Sequence, residues 1–272
     1  MIFDTHAHYD DEAFNDDRDA VLERLEAAGI GRVVNCGADL ASSKRSVELA
    51  GKNGFIYAAV GVHPDNAGEI VSDSGEVLGL DELRKLAKDS KVVAVGEIGL
   101  DYHWNIYPAE VQKQAFIRQW ELAVELGLPI EIHSRDAAED TMTIVRGMFE
   151  SEKRAGRELR ADMHCFSYSP ELAAEYLKMG FYLGVGGVIT FKNAKKLREV
   201  VDQTPLDRIL LETDCPYLAP EPHRGTRNNS SYLTSVAAAI ADIKGIDPSA
   251  AERATFENAL RFFRLDPDQP II

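Results

Sequence analysis

Short runs of apolar residues recur along the chain, each followed by a longer stretch whose apolar residues fall three or four apart. The first run, Ile2-Phe3, leads straight into Asp4-Thr5-His6-Ala7-His8. Residues 15–29 then place Val21, Leu22, Leu25 and Ala28 at helical spacing, with Gly29 as C-cap. Further strands are predicted over 32–36, 55–62, 92–97, 129–133, 160–165, 181–185 and 208–212. Helices over 42–53, 81–89, 109–126, 136–154, 170–179 and 194–203 separate them, and 68–79 is a polar, irregular passage. Two more helices, 232–244 and 248–264, close the chain.

Eight short apolar strands alternating with helices predict an α/β fold with a parallel sheet, and eight close naturally into a barrel. The rival, an open doubly wound sheet, lacks its usual Gly-x-Gly-x-x-Gly after the first strand. No internal repeat or Pro/Gly/Ser-rich linker interrupts the alternation. The expectation is a single (β/α)8 TIM barrel with C-terminal closing helices, occupying 1–272 as one domain.

Composition narrows the partners. Apolar residues make up 45% of the chain, enough for a sizeable core. No stretch approaches the roughly 18 to 20 consecutive apolar residues of a membrane span, and no basic region with an apolar run opens the chain as a secretory signal would. Three cysteines argue against a disulfide framework, so a cytoplasmic protein with no obligate protein partner is expected. A net charge of −15 disfavours an extended nucleic-acid groove, which needs a basic stripe. It leaves room for a compact site that takes the end of a polyanion, because bound cations reverse the local field.

The seven histidines, His6, His8, His63, His103, His133, His164 and His223, fall at strand ends or in irregular segments, and none in a predicted helix body. In a parallel barrel all strands end on one face, so such residues converge there. Alternation along a strand puts His6 and His8 on one face with Asp4 below them. Paired imidazoles suit zinc, manganese, iron or nickel, although a solvated His-x-His on an edge strand binds nothing. Glu97, followed by Ile98-Gly99-Leu100, is costly to bury unless paired or metal-bound; a rim salt bridge is the alternative. The spacing of Glu212 and Asp214 puts both acids on one face, where they repel unless a cation lies near or one of them orients a histidine. Cys36, Cys165 and Cys215 show no Cys-x-x-Cys spacing and read as small packing residues.

Taken together, Asp4-Thr5-His6-Ala7-His8, Gly61-Val62-His63-Pro64, Gly96-Glu97-Ile98-Gly99-Leu100-Asp101-Tyr102, Ile132-His133-Ser134-Arg135-Asp136 and Glu212-Thr213-Asp214-Cys215-Pro216-Tyr217-Leu218 resemble the motifs of the TatD family of metal-dependent deoxyribonucleases. Pro222-His223-Arg224-Gly225-Thr226-Arg227-Asn228 is similar to its last motif; Asn229-Ser230 departs from the acidic residue and proline usual there. The resemblance implies two divalent ions (magnesium, manganese, zinc or nickel). His6, His8 and Asp214 would surround the first, His133 and His164 the second, with Glu97 bridging. It implies a metal-activated water that cleaves phosphodiester bonds, most simply at single-stranded DNA ends, with Asp214 and Glu97 as catalytic residues and Asp214 accepting a proton. Arg135, Arg224 and His103 would clamp phosphate, His63 would contact substrate or orient the site, and Glu212 would orient a histidine. The same chemistry would serve a metal-dependent ester or amide hydrolase such as a D-aminoacyl-tRNA deacylase. A metal-binding scaffold without turnover is a third possibility.

Overall fold

The computed structural model describes residues 1–72 and 74–266; residue 73 and residues 267–272, which the single-domain expectation includes, lie outside the described residues. The strands are β1 (Ile2–Ala7), β2 (Ile30–Cys36), β3 (Ile56–Val60), β4 (Val92–Asp101), β5 (Ile130–Arg135), β6 (Ala161–Met163), β7 (Tyr182–Val185) and β8 (Ile209–Leu211). They form one eight-stranded sheet in the order β1 to β8, and the described pairings are parallel. Helices α1 (Arg18–Ala27), α2 (Leu40–Lys52), α3 (Leu80–Leu86), α4 (Ala109–Leu126), α5 (Ala138–Arg154), α6 (Pro170–Lys178) and α7 (Lys195–Gln203) alternate with the strands, and α8 (Leu233–Lys244) and α9 (Pro248–Phe263) follow β8. This is the (β/α)8 pattern. Among the described residues no helix is long and apolar enough to cross a membrane.

By contact density the chain forms two compact units. The first comprises Met1–Asn35, Lys52–Tyr57 and the chain from His164 onward. Here β1 pairs with β2, β7 with β8, and a bridge from Ala7 to Cys215 ties β1 to the segment after β8. Helix α9 starts cleanly because the Asp247 carboxylate accepts from the Ser249 amide and Pro248 presets the first turn. Its buried face packs on β1 and β8, with Phe3 between Phe256 (5.9 Å) and Phe263 (5.6 Å). Asn258 on the same helix donates to the Leu206 and Ile209 carbonyls.

The second unit, Cys36–Gly51 and Ala58–Met163, carries β4, β5 and β6 side by side, with α4 on β4. Phe116 and Trp120 stack edge to face at 5.8 Å inside α4's buried stripe, and Gly127 ends the helix in a left-handed turn. Two glutamines on α4 do what apolar residues could not. Gln119 accepts from the Val62 amide (2.7 Å) and donates to the Val62 carbonyl (3.0 Å). Gln112, two turns earlier, brackets Asp101 in the same way and also donates to the Tyr107 carbonyl. The backbone just before His63 and at the end of β4 is thereby fixed from the helix layer.

The sequence pattern and the structure part at a few boundaries. Helix α1 begins at Arg18 rather than residue 15, because a 3-10 turn over Glu12–Phe14, capped by the Asp11 side chain, comes first and residues 15–17 form the turn that joins it to α1. Strand β4 runs on to Asp101 instead of stopping at residue 97. Gly99 permits this: it pairs with His133 at φ +151°, and a Cβ there would overlap the His133 carbonyl. The irregular passage contains a small bridge between Val71 and Val77, and α3 ends three residues before the predicted 89.

Replacing Gln119 with leucine leaves two buried backbone groups without partners, at about 1–3 kcal/mol each. Urea denaturation should report a stability loss of about 3 kcal/mol for Gln119→Leu; a loss below about 0.5 kcal/mol would show that the amide does not hold that loop.

Candidate metal centre

In the first unit the carboxyl ends of β1 and β8 and the residue after β6 present three imidazoles and a carboxylate to one another. His6 is buried within β1 and His8 stands half-buried just beyond it. Their Nε2 atoms lie 3.2 Å apart, as alternation along a strand requires. His164 stacks on His6 with ring centroids 3.6 Å apart. Asp214 Oδ1 lies 3.4 Å from His8 Nε2 and 3.8 Å from His164 Nε2. Donor atoms of His6, His164 and Asp214 fall within 4.8 Å of one another.

Asp214 does not continue β8. Its φ is +57°, and its amide donates to the His6 carbonyl at 2.9 Å, so the turn and not strand alternation aims the carboxylate. Burial would raise its pKa, but the His8 hydrogen bond and the charges of His164, His8 and His6 outweigh that and hold it below the usual carboxylate range. Glu212 faces the other side of the His164 ring: Oε2 lies 3.1 Å from Nδ1, and Oε1 accepts from the Cys165 amide. An Nδ1–H donated to Glu212 leaves the Nε2 lone pair directed toward Asp214. Gly184 makes room, since a Cβ there would overlap the Glu212 carboxylate.

Asp4 underlies this arrangement. Its Oδ2 accepts from the Thr213 hydroxyl (2.7 Å) and the Ser230 hydroxyl (2.6 Å), and its Oδ1 from the Thr213 amide (3.0 Å). Burial, opposed by these hydrogen bonds, pushes its pKa up to about 6. The loop where Asn229-Ser230 replaces the usual residues is well anchored. Ser230 N donates to Tyr9 OH, the Asn228 amide donates to the Thr213 and Tyr217 carbonyls, and the Asn229 side chain accepts from Ser231 N.

In the second unit Glu97 is buried with Oε1 2.6 Å from His133 Nδ1 and 3.9 Å from His63 Nε2. His133 Nε2 lies 3.1 Å from Asp101 Oδ2, so this imidazole is held between two carboxylates. Burial would lower its pKa, but the Glu97 charge and the hydrogen bonds to Asp101 and Glu97 raise it to about 9. Asp101 falls to about 2 despite burial, through hydrogen bonds from His133 and from the Trp104 and His103 amides. His63 Nδ1 accepts from the Asp65 amide at 3.1 Å, which places the neutral ring's proton on Nε2, toward Glu97. Donor atoms of His63, Glu97 and His133 also lie within 4.8 Å of one another.

Both groups suit a divalent cation. Each gathers imidazole nitrogens, buried or half-buried, and at least one carboxylate with donor atoms within 4.8 Å of one another, the donor set that divalent transition metals take. Among the residues singled out in the sequence, His6, His8, His164, Glu212 and Asp214 come together in the first unit, and His63, Glu97 and His133 in the second. The substrate-facing candidates stand further out. Arg135 lies over the Trp104 ring at 5.6 Å, His103 Nδ1 lies 3.1 Å from Asp136 Oδ2, and Arg224 covers Phe191 at 4.3 Å. Asp4 lies where strand alternation puts it, below the two imidazoles, whereas Asp101, Thr213 and Ser230 carry no local signal of their own. Asp101 was within reach, four residues beyond Glu97 on the same strand, had that strand been read to its true end. The described cysteines form no disulfide, and Cys36 and Cys215 are buried.

Comparison with known proteins identifies the family. The family model described as "TatD related DNase" matches residues 3–264. The uncharacterized metal-dependent hydrolase YabD of Bacillus subtilis (strain 168) is 44% identical over 266 residues, covering 98% of this chain and all of the relative. The 3'-5' ssDNA/RNA exonuclease TatD of Erwinia billingiae is 34% identical, covering 97% of this chain and 99% of the relative. The crystal structure of YJJV, a TatD homolog from Escherichia coli K12, superposes with a TM-score of 0.86 at 29% identity, covering 97% of this chain and 98% of that one. An eight-stranded (β/α)8 barrel whose carboxyl strand ends carry these ligand groups therefore belongs to the TatD family of metal-dependent hydrolases.

Proposed function

We propose that this hydrolase cleaves phosphodiester bonds at the ends of single-stranded nucleic acid, DNA foremost, using divalent cations held by its two ligand groups. The observation that carries the reading is the convergence of His6, His8 and His164 on Asp214, with Glu212 fixing the His164 ring. The relatives named 3'-5' ssDNA/RNA exonucleases support the substrate class. The net charge of −15 supports trimming of ends over tracking along duplex.

In this reading His6, His8, His164 and Asp214 would hold one cation, and Glu97 and His133, with Asp101 beside them, would hold the other. Bound cations polarise the phosphoryl oxygen, acidify water and offset charge on the leaving oxygen. The chain supplies the rest. Asp214, kept ionised by its imidazoles, accepts the proton of the attacking water. His63 presents its Nε2 proton beside Glu97, where it can donate to a substrate oxygen. Arg135, exposed at the end of β5, neutralises a phosphate of the bound strand, and Arg224, exposed in the segment after β8, is a second cation for that role.

Digestion of an end-labelled single strand with manganese or magnesium tests this directly. Asp214→Asn should lower kcat by about 100-fold or more, His6→Ala and Glu97→Ala should abolish turnover, and Glu212→Gln should weaken metal binding by about 10- to 100-fold. Undiminished activity in Asp214→Asn would overturn the assignment, and hydrolysis of an aminoacyl ester without digestion of the strand would move the reading to acyl chemistry. A pH dependence follows from His133. Its raised pKa means that the metal-free protein carries the proton at neutral pH, and a cation must displace it. Metal affinity should therefore rise with pH and level off above about 9. Calorimetry in buffers of different ionisation enthalpy should detect proton release at pH 7; a pH-independent affinity would show that His133 is no ligand.

A further inference from the structure

The segment after β4 presents an aromatic side chain that the core does not need. Trp104 is 60% exposed and Ile106 61%, whereas Trp120, the protein's other tryptophan, is fully buried. Exposure on this scale costs hydrophobic free energy, so the indole is displayed and not packed. The display is also rigid. Asp101 Oδ1 accepts from the amides of His103 (2.8 Å) and Trp104 (3.1 Å), and Gln112 holds the Tyr107 carbonyl (2.9 Å), so the segment is pinned at both ends. Asn105 takes the turn between them at φ +49°. The carboxylate that anchors Trp104 through one oxygen faces His133 through the other.

The chemistry beside the indole selects its occupant. The Arg135 guanidinium lies 5.6 Å from the ring centroid, and His103 meets the ring edge-on at 4.9 Å. An exposed indole with a guanidinium over one face, on a protein of net charge −15, suits a partner that is both flat and anionic. A nucleotide meets both conditions, its base on the indole and its phosphate near Arg135; an apolar protein surface meets neither.

We propose that Trp104 is a base-stacking platform for a single-stranded nucleic acid whose backbone reaches the Glu97–His133–Asp101 group, with Arg135 as the neighbouring phosphate contact. This rests on the nucleic-acid reading above and adds to it a subsite that reads the base as a π-surface and not as a sequence.

Tryptophan fluorescence tests it, because Trp120 is sealed from solvent and contributes a fixed background. A short phosphorothioate single strand should quench the emission of the metal-loaded protein and shield it from acrylamide, whereas an abasic strand with the same number of phosphates should not. In steady-state digestion Trp104→Ala should raise KM for the base-bearing strand about ten-fold or more, with kcat within about two-fold, and leave KM for the abasic strand unchanged. Trp104→Phe should restore most of the loss. Equal quenching by both strands, or an unchanged KM in Trp104→Ala, overturns the subsite. Base-dependent quenching without hydrolysis would leave the platform standing and sink the nuclease reading; hydrolysis without base-dependent quenching would do the reverse.

Discussion

Burying carboxylates and imidazoles together at strand ends costs several kcal/mol per charge unless each is paired, hydrogen-bonded or bound to a cation. The carboxylates beside the two groups meet that constraint. Asp4 accepts from Thr213 and Ser230, Glu212 from Cys165 N while facing His164, and Asp101 from His103 N and Trp104 N while facing His133. Within each unit this leaves a cluster of imidazole nitrogens and carboxylate oxygens of the kind that could hold a divalent cation.

The fold supplies these partners from the layer behind the strands. Gln112 and Gln119 reach from α4 to the backbone at Asp101 and Val62, and Asn228 reaches from the loop after β8 to Thr213 and Tyr217. Each replaces an apolar contact with a directional one at a position next to a site residue. The left-handed turn at Asp214 belongs to the same scheme: it turns a carboxylate that would continue β8 toward His8 and His164.

Much of this was legible in the chain. Apolar runs located the strands, and the helix predicted over 109–126 coincides with α4. Alternation alone put His6 and His8 on one face, which their 3.2 Å separation reflects. The same rule misjudged Glu212 and Asp214, because it assumes a strand where the backbone turns. They share His164 not from one side but from its two ring nitrogens. The supporting residues were less legible for a different reason. A contact such as Ser230 to Asp4 joins positions more than two hundred residues apart, and nothing in local spacing announces it. Asp101 lies beyond the predicted end of the strand, which Gly99 extends by letting β4 pass close to His133.

The central claim, that the two ligand groups each hold a cation, is tested most directly by counting bound manganese on the reconstituted protein by electron paramagnetic resonance. The account predicts two ions per chain, one lost in Asp214→Ala and one in Glu97→Ala, with the folded state retained in both. A wild-type protein that binds no manganese, or variants that bind as many ions as the wild type, would contradict it.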